Sequence, residues 1–451
     1  MDVITSDDEP RSASWMTSYD PEDEQAWQAG LSRVAWRSLW VTTFALVLSF
    51  AVWFMVSALV VRLPQIGFDL STGQLFWLAA LPGLAAGTLR IVHTFLIPIF
   101  GSRATVTGST LLLAVPVVGW FIAVQNPDTP YGMLLLLAFL AGLGGGNFSS
   151  FMPSTSLYFP RSRQGTALAV QAGVGNFGVS LVQFLTPVII GTALLGGALG
   201  GSQVMSTAAG EREVWLQNAA IIWLPFILLA AGAAWYWLRS VPVQANFREQ
   251  ADIFRSRHTW IMTSLYFMTF GTFSGLAAVF PLLIAQAYGD FDGAPDPLTF
   301  AFLGPLVGSL FRVVGGPLSD RLGGARVTHY AAIGLVVSSA AVTFFVAPTS
   351  LDDFPWFVAS MLAVFFFAGI GNASTFKQIP MLFEKRQAGG VIGWTAAIAA
   401  YGPFVLSGIV GSVIDLTGSA VAFFWGLAVF FVLNTGLNWW FYARPRAPHP
   451  C

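Results

Sequence analysis

Twelve apolar runs of 20 to 30 residues dominate this 451-residue chain. They lie near residues 38–61, 74–100, 106–125, 130–159, 166–195, 214–239, 259–288, 298–322, 327–346, 356–383, 389–416 and 419–443. A helix rises 1.5 Å per residue, so about 20 residues cross a hydrocarbon core of roughly 30 Å. In that core every backbone N–H and C=O must be satisfied by the chain itself, which leaves helices and closed barrels. The runs lack the alternation of barrel strands and are too long for them. The predicted fold class is therefore an all-α membrane protein with twelve transmembrane helices, in contact with a lipid bilayer.

Composition narrows the function. Only 10% of residues are charged, against about 25% in soluble domains. A net charge of -1 gives no case for nucleic acid. The single cysteine, Cys451, excludes a disulfide framework and any cysteine-based metal or Fe–S site. No P-loop, HExxH or GxSxG motif occurs. No enzyme activity, cofactor or metal is expected. Residues 1–35 carry eight acids and no apolar run, which predicts a disordered acidic tail rather than a cleaved signal peptide.

Basic residues set the orientation. With the N-terminus in the cytoplasm, sixteen of the 21 Lys and Arg fall on the cytoplasmic side and two, Arg62 and Arg212, on the outer side. The remaining three, Arg90, Arg312 and Lys377, lie inside spans. Both termini are accordingly expected in the cytoplasm. The long charged connection 241–258 divides the chain into a first half (36–240) and a second half (259–443), followed by a tail (444–451). Span 2 contains Leu89-Arg90 and then Gly101-Ser102-Arg103; span 8 contains Phe311-Arg312 and then Gly324-Ala325-Arg326. Span 4 has AGLGGGNFSSF (141–151) and span 10 AGIGNASTF (368–376). Two pseudo-symmetric six-helix halves around a midplane site are the mark of a secondary transporter.

Arg90 and Arg312 each stand ten residues before the predicted end of their span, roughly 15 Å deep at 1.5 Å per residue. A central arginine costs at least about 2.5–3.5 kcal/mol on insertion scales. No acid lies at that depth to pair with either. The economical reading is that the substrate is the anion, held by planar guanidinium forks that suit a planar oxyanion. The competing reading has each arginine satisfied by backbone carbonyls. Gly142, Gly144, Gly145 and Gly146 in span 4, and Gly173, Gly175 and Gly178 in span 5, allow close helix approach and a narrow cavity. Asn176 either donates to the anion or bonds a neighbouring helix.

At these residues the chain resembles the nitrate/nitrite porters of the major facilitator superfamily, the NarK-type proteins, over about residues 36–443. The strongest stretch is GNFSSFMPSTSLYFPRSRQGTALAVQAGVGNFGVSLVQF (146–184), similar to the family's nitrate signature. GPLSDRLGGARVT (316–328) resembles the superfamily's cytoplasmic loop motif. The resemblance implies the major facilitator fold, with Arg90 and Arg312 binding the substrate and Phe148 and Phe376 enclosing it. It implies Tyr266 and Asn176 as further members of the site, and nitrate, with nitrite, as the substrates; Gly175, where helices meet or the anion passes, joins them as a candidate. A bacterial inner membrane and a functional monomer are expected. The chain departs from the family pattern at the alanine-rich GWTAAIAAYGPF (393–404), at Lys377 after Phe376, and at His93.

Those departures bear on coupling. Moving a monovalent anion inward against an inside-negative potential costs about 2.3 kcal/mol per 100 mV. Uptake therefore needs a co-transported cation or exchange for another anion. His93 is the deepest group that titrates near neutral pH, and it lies three residues after Arg90, on the same side of the helix. Lys377 either snorkels to the interface or assists as a second coupling group. The expectation is proton-linked nitrate uptake through His93, with nitrate/nitrite antiport, or carriage of another small oxyanion, as the alternatives.

Overall fold

The computed structural model describes residues 15–16, 19–207, 210–241 and 248–451. Among these, twelve helices are long and apolar enough to cross a membrane. They are Glu24–Val60, Thr72–His93, Leu96–Ala123, Tyr131–Tyr158, Arg161–Ile189, Asn218–Trp237, Arg257–Tyr288, Pro297–Leu322, Gly324–Val342, Leu351–Leu382, Gln387–Thr417 and Val421–Ala443, here spans 1 to 12. The most apolar stretches of spans 1 and 7 are 89% and 94% buried, those of spans 6 and 12 only 39% each. Spans 1 and 7 thus form the centre, and spans 6 and 12 present their apolar side chains outward.

Two seams join spans 1–6 to spans 7–12. Span 2 packs along span 11, and span 5 along span 8. Exchanging the halves exchanges these seams, because spans 2 and 5 correspond to spans 8 and 11. Within each half, small residues bring helices into contact. The Cα of Gly144 in span 4 rests against the Ser49 carbonyl of span 1, and that of Gly369 in span 10 against the Gly308 carbonyl of span 8.

Several boundaries differ from the sequence expectation. The first helix begins at Glu24, well inside the stretch read as an acidic tail. Asp23 caps it by accepting from Gln25 and Ala26 N–H, and Trp27 is buried against Phe159. The acids there include a helix cap and first turn, a favourable place for negative charge. Residues 1–14 and 17–18 of the expected tail, and 242–247 of the expected linker, lie outside the described residues. An antiparallel hairpin not foreseen from the sequence, Gln203–Thr207 with Gly210–Val214, joins spans 5 and 6. Residues 444–451 fold back on the second half, where the Cys451 carbonyl accepts from Ala325 N–H at 2.9 Å.

The end of span 2 shows what sets the depth of the arginines. The regular ladder stops at His93, yet Thr94 (φ -58°, ψ -28°) and Phe95 (φ -95°, ψ -13°) keep right-handed helical backbone. The chain turns only at Gly101 (φ +74°, ψ 169°). Span 8 ends likewise at Gly323 (φ +90°, ψ 137°). Arg90 and Arg312 therefore each stand eleven residues before a glycine whose backbone conformation other residues rarely adopt. A Cβ at Gly101 would also overlap Ser240. Gly101→Ala should destabilise the protein by about 1–3 kcal/mol. Gly108→Ala, where nothing lies near the added carbon, should be neutral or slightly stabilising. Thermal melts of the detergent-purified variants compare the two.

Candidate anion-binding site

Arg90 is fully buried and Arg312 is 6% exposed. Arg90 Nε donates to the Gly145 carbonyl of span 4 at 2.9 Å. Its Nη1 crosses the seam to the Ala396 carbonyl of span 11 at 2.7 Å. Arg312 Nη2 reaches the Tyr266 hydroxyl of span 7 at 3.4 Å. Arg90 Nη2 and Arg312 Nη1 have no partner in the protein. Neither of these two arginines takes part in the ion pairs of Arg62, Arg161, Arg212 or Lys377. The carbonyl reading thus holds for part of Arg90 only. One buried, charged donor from each half remains without an acceptor, a state that costs about 1–3 kcal/mol or more per group.

Aromatic rings wall the arginines. Phe148 of span 4 lies 4.6 Å from the Arg90 guanidinium carbon, and Phe376 of span 10 lies 5.7 Å from that of Arg312. Each phenylalanine therefore meets the arginine of its own half. Tyr266 packs on Phe376 at 4.3 Å between ring centroids. Phe270 stands between the halves, 5.2 Å from the Arg90 guanidinium and 5.8 Å from that of Arg312. The two guanidinium carbons are then no further apart than those two lengths laid end to end. Trp53 of span 1 adds a third face to Arg90 at 5.6 Å, its own N–H given to the Pro82 carbonyl at 3.1 Å.

The sequence reading did not single out Phe270 or Trp53. Phe270 sits in a wide π-helical turn, Phe267–Gly271, a distortion that often marks functional sites. Gly271 in that turn meets Gly402 of span 11 at backbone contact, and Gly402 follows the interruption of span 11 at Ala400–Tyr401. The sequence sign of Trp53 is Gly145, whose missing side chain leaves room for the indole.

The other expected site residues divide. Asn176 is fully buried, and both its amide atoms lack a partner in the protein. Gly175 faces Leu46 of span 1, so the space it leaves is filled by a packing contact inside the first half. His93 is buried, with Nδ1 2.9 Å from the Ser150 hydroxyl on span 4, two residues beyond Phe148. Lys377 is drawn away from the site. Its ammonium pairs with Asp320 near the end of span 8, and both side chains are about half exposed.

The two six-helix halves thus each bring a cationic donor without a protein partner to the centre of the bundle. Three comparisons say where it belongs. Residues 39–376 and 262–451 match the model of the Major Facilitator Superfamily. The chain is 63% identical over 439 residues to the probable nitrate/nitrite antiporter NarK2 of Thermus thermophilus, covering 97% of this chain and 98% of that one. To the nitrate/nitrite transporter NarU of Escherichia coli it is 34% identical, covering 97% and 98%. A crystal structure of the nucleoside transporter NupG shares the fold, with a TM-score of 0.63 and 11% identity over 89% of this chain and 98% of that one. The protein is a membrane transporter of the Major Facilitator Superfamily and not an enzyme. Within that superfamily it belongs to the NarK-type nitrate/nitrite porters.

Replacing either arginine tests the geometry. Arg90→Lys and Arg312→Lys keep the charge and lose the planar fork. Losing charged hydrogen bonds of about 1.5–3 kcal/mol each should weaken nitrate binding roughly 100-fold. The Ala variants should abolish transport while remaining monodisperse; binding and liposome uptake provide the readout. Gly175→Leu should fail for a different reason, overpacking against Leu46, at about 1–3 kcal/mol. Adding Leu46→Ala should restore part of the melting temperature and of the transport rate.

Proposed function

We propose that this protein carries nitrate and nitrite across the cytoplasmic membrane by alternating access, and that it works by exchanging one for the other. The observation that carries this reading is the pair of unpartnered N–H donors, Arg90 Nη2 and Arg312 Nη1, contributed by opposite halves of a buried site. A planar monovalent oxyanion can accept from both forks at once. The Tyr266 hydroxyl and the Asn176 amide are further polar groups for its remaining oxygens. Phe148, Phe270 and Phe376 exclude water and leave little room for a larger solute. Binding then draws the halves together through the anion, the step that alternating access requires. Both arginines come from one chain, in keeping with a functional monomer. The sixteen-to-two split of basic residues supports a cytoplasmic position for the face bearing residues 15–16 and 451.

Exchange needs no titratable group in the site. Lys377, with its Asp320 partner at a span end, offers none there. The name of the 63% identical relative, an antiporter, points the same way. Proton-linked uptake is the second reading, and its support is His93. This buried imidazole lies three residues after Arg90 and bonds Ser150 on the helix that also carries Phe148.

Purified protein in liposomes separates the two. Exchange predicts nitrate uptake that requires nitrite inside and ignores an imposed pH gradient. Accumulation driven by an inward proton gradient without internal nitrite, and blunted in His93→Gln, would establish the proton-linked reading instead.

A further inference from the structure

The face opposite the termini carries the hairpin, and there an ion pair between a buried guanidinium and a partly exposed carboxylate joins the halves. Arg62 follows span 1 in the first half and its side chain is 1% exposed. Asp296 precedes span 8 in the second half. Arg62 Nη2 donates to both carboxylate oxygens of Asp296, at 2.5 and 2.6 Å. The Arg62 Nη1 donates to Gln65 Oε1 at 3.1 Å. Arg212, on the second strand of the hairpin, stands 3.9 Å from the same carboxylate. Asp296 also caps span 8 by accepting from Leu298 N–H at 3.0 Å. One acid of the second half thus faces two guanidinium groups of the first.

Beside it lie neutral contacts between the halves, and the Asp415 carboxylate of span 11 rests against Gly73 of span 2 without an ion pair among the described residues. Ser180 donates to the Phe302 carbonyl at 3.0 Å, Gln183 to the Ala277 carbonyl at 2.9 Å, and Phe184 packs on Phe302 at 5.0 Å. At the face bearing the termini, the ion pairs Glu22–Arg161 and Lys377–Asp320 each stay within one half. Charge therefore bonds the halves at the hairpin face, about one and a half helical turns beyond Ser57 in span 1. A buried guanidinium separated from its carboxylate loses its compensation until water reaches it, so this pair opposes the first step of parting.

We propose that Arg62 and Asp296 form the latch that holds the hairpin face shut, with Arg212 as its exposed outer neighbour. The inference rests on alternating access but not on the identity of the anion. Asp296→Asn is the informative variant, because Asn keeps the helix cap while removing the charge. Arg62→Gln removes the same pair from the other half. The reporter is a single cysteine, Ser57→Cys, in a chain whose native cysteine is replaced (Cys451→Ser). Ser57 is 2% exposed and borders a small cavity between Trp53, Ala278 and Pro403.

Labelling by a membrane-impermeant maleimide added from the hairpin side should be slow in the reporter protein. It should rise about tenfold with either latch variant as the open population grows. Nitrate affinity should stay within about twofold, since Arg90 and Arg312 are untouched, and this also certifies the fold. Unchanged labelling in both variants, with nitrate binding intact, would overturn the latch. Faster labelling in a protein that binds no nitrate would leave the latch standing and remove nitrate as the substrate.

Discussion

Two buried guanidinium groups without a carboxylate are the constraint around which this bundle is organised. An arginine at the bilayer centre costs at least about 2.5–3.5 kcal/mol. For Arg90 the structure offsets this with two carbonyl bonds, to Gly145 and Ala396, of about 1.5–3 kcal/mol each. Three rings add about 0.5–2 kcal/mol apiece where they are desolvated. Both carbonyls depend on backbone irregularity. Gly145 belongs to a run of small residues that lets span 4 lie on spans 1 and 2. Ala396 lies one turn before the interruption of span 11 and also accepts Ala400 N–H at 3.2 Å. Arg312 is less well supplied, with Tyr266 at 3.4 Å as its polar partner. Neither arginine is fully satisfied, and the unsatisfied donors come from opposite halves.

The large features were legible in the sequence for physical reasons. A span must be apolar over about 20 residues whatever its neighbours do, so twelve runs read as twelve helices. A charge inside such a run has no solvent to hide in, so Arg90 and Arg312 stood out. Phe270 did not, because it is one of 40 phenylalanines and only its position in the π-helical turn separates it from the others. The start of span 1 was hidden by Asp20, Glu22, Asp23 and Glu24, which read as a soluble tail, whereas Asp23 caps and Glu24 opens a helix whose Trp27 is buried. Lys377 shows the limit of counting residues along a helix. Its depth left both a coupling role and snorkelling open, and its partner Asp320 is on another span. Gly175 and Asn176 are adjacent in the signature yet differ in kind, one filled by Leu46 and the other with its amide unbonded.

The spacing of eleven residues from each arginine to its left-handed glycine ties the repeat to the mechanism. A helix that turns at a fixed distance beyond its arginine holds that arginine at a fixed depth. Two such helices in corresponding positions bring both guanidinium groups to one level. The halves are not identical in chemistry, however. Arg90 reaches across the seam to Ala396, whereas Arg312 bonds Tyr266 of its own half. The Ala396 bond therefore joins the halves at the level of the site, and an anion held between Arg90 Nη2 and Arg312 Nη1, as proposed, would add a second join beside it without competing for the same N–H. Near the hairpin face Arg62 and Asp296 supply a third. The ion pair lies nearer the hairpin face than the other two, so with the proposed latch the halves part there only after the ion pair yields. Parting through the site requires Arg90 to release Ala396, and with the proposed anion in place, that anion too. Closure at the hairpin face, as proposed for Arg62 and Asp296, and grip at the centre would thus be separate interactions between the halves, as a carrier needs if its site is to stay closed to one side while it opens to the other.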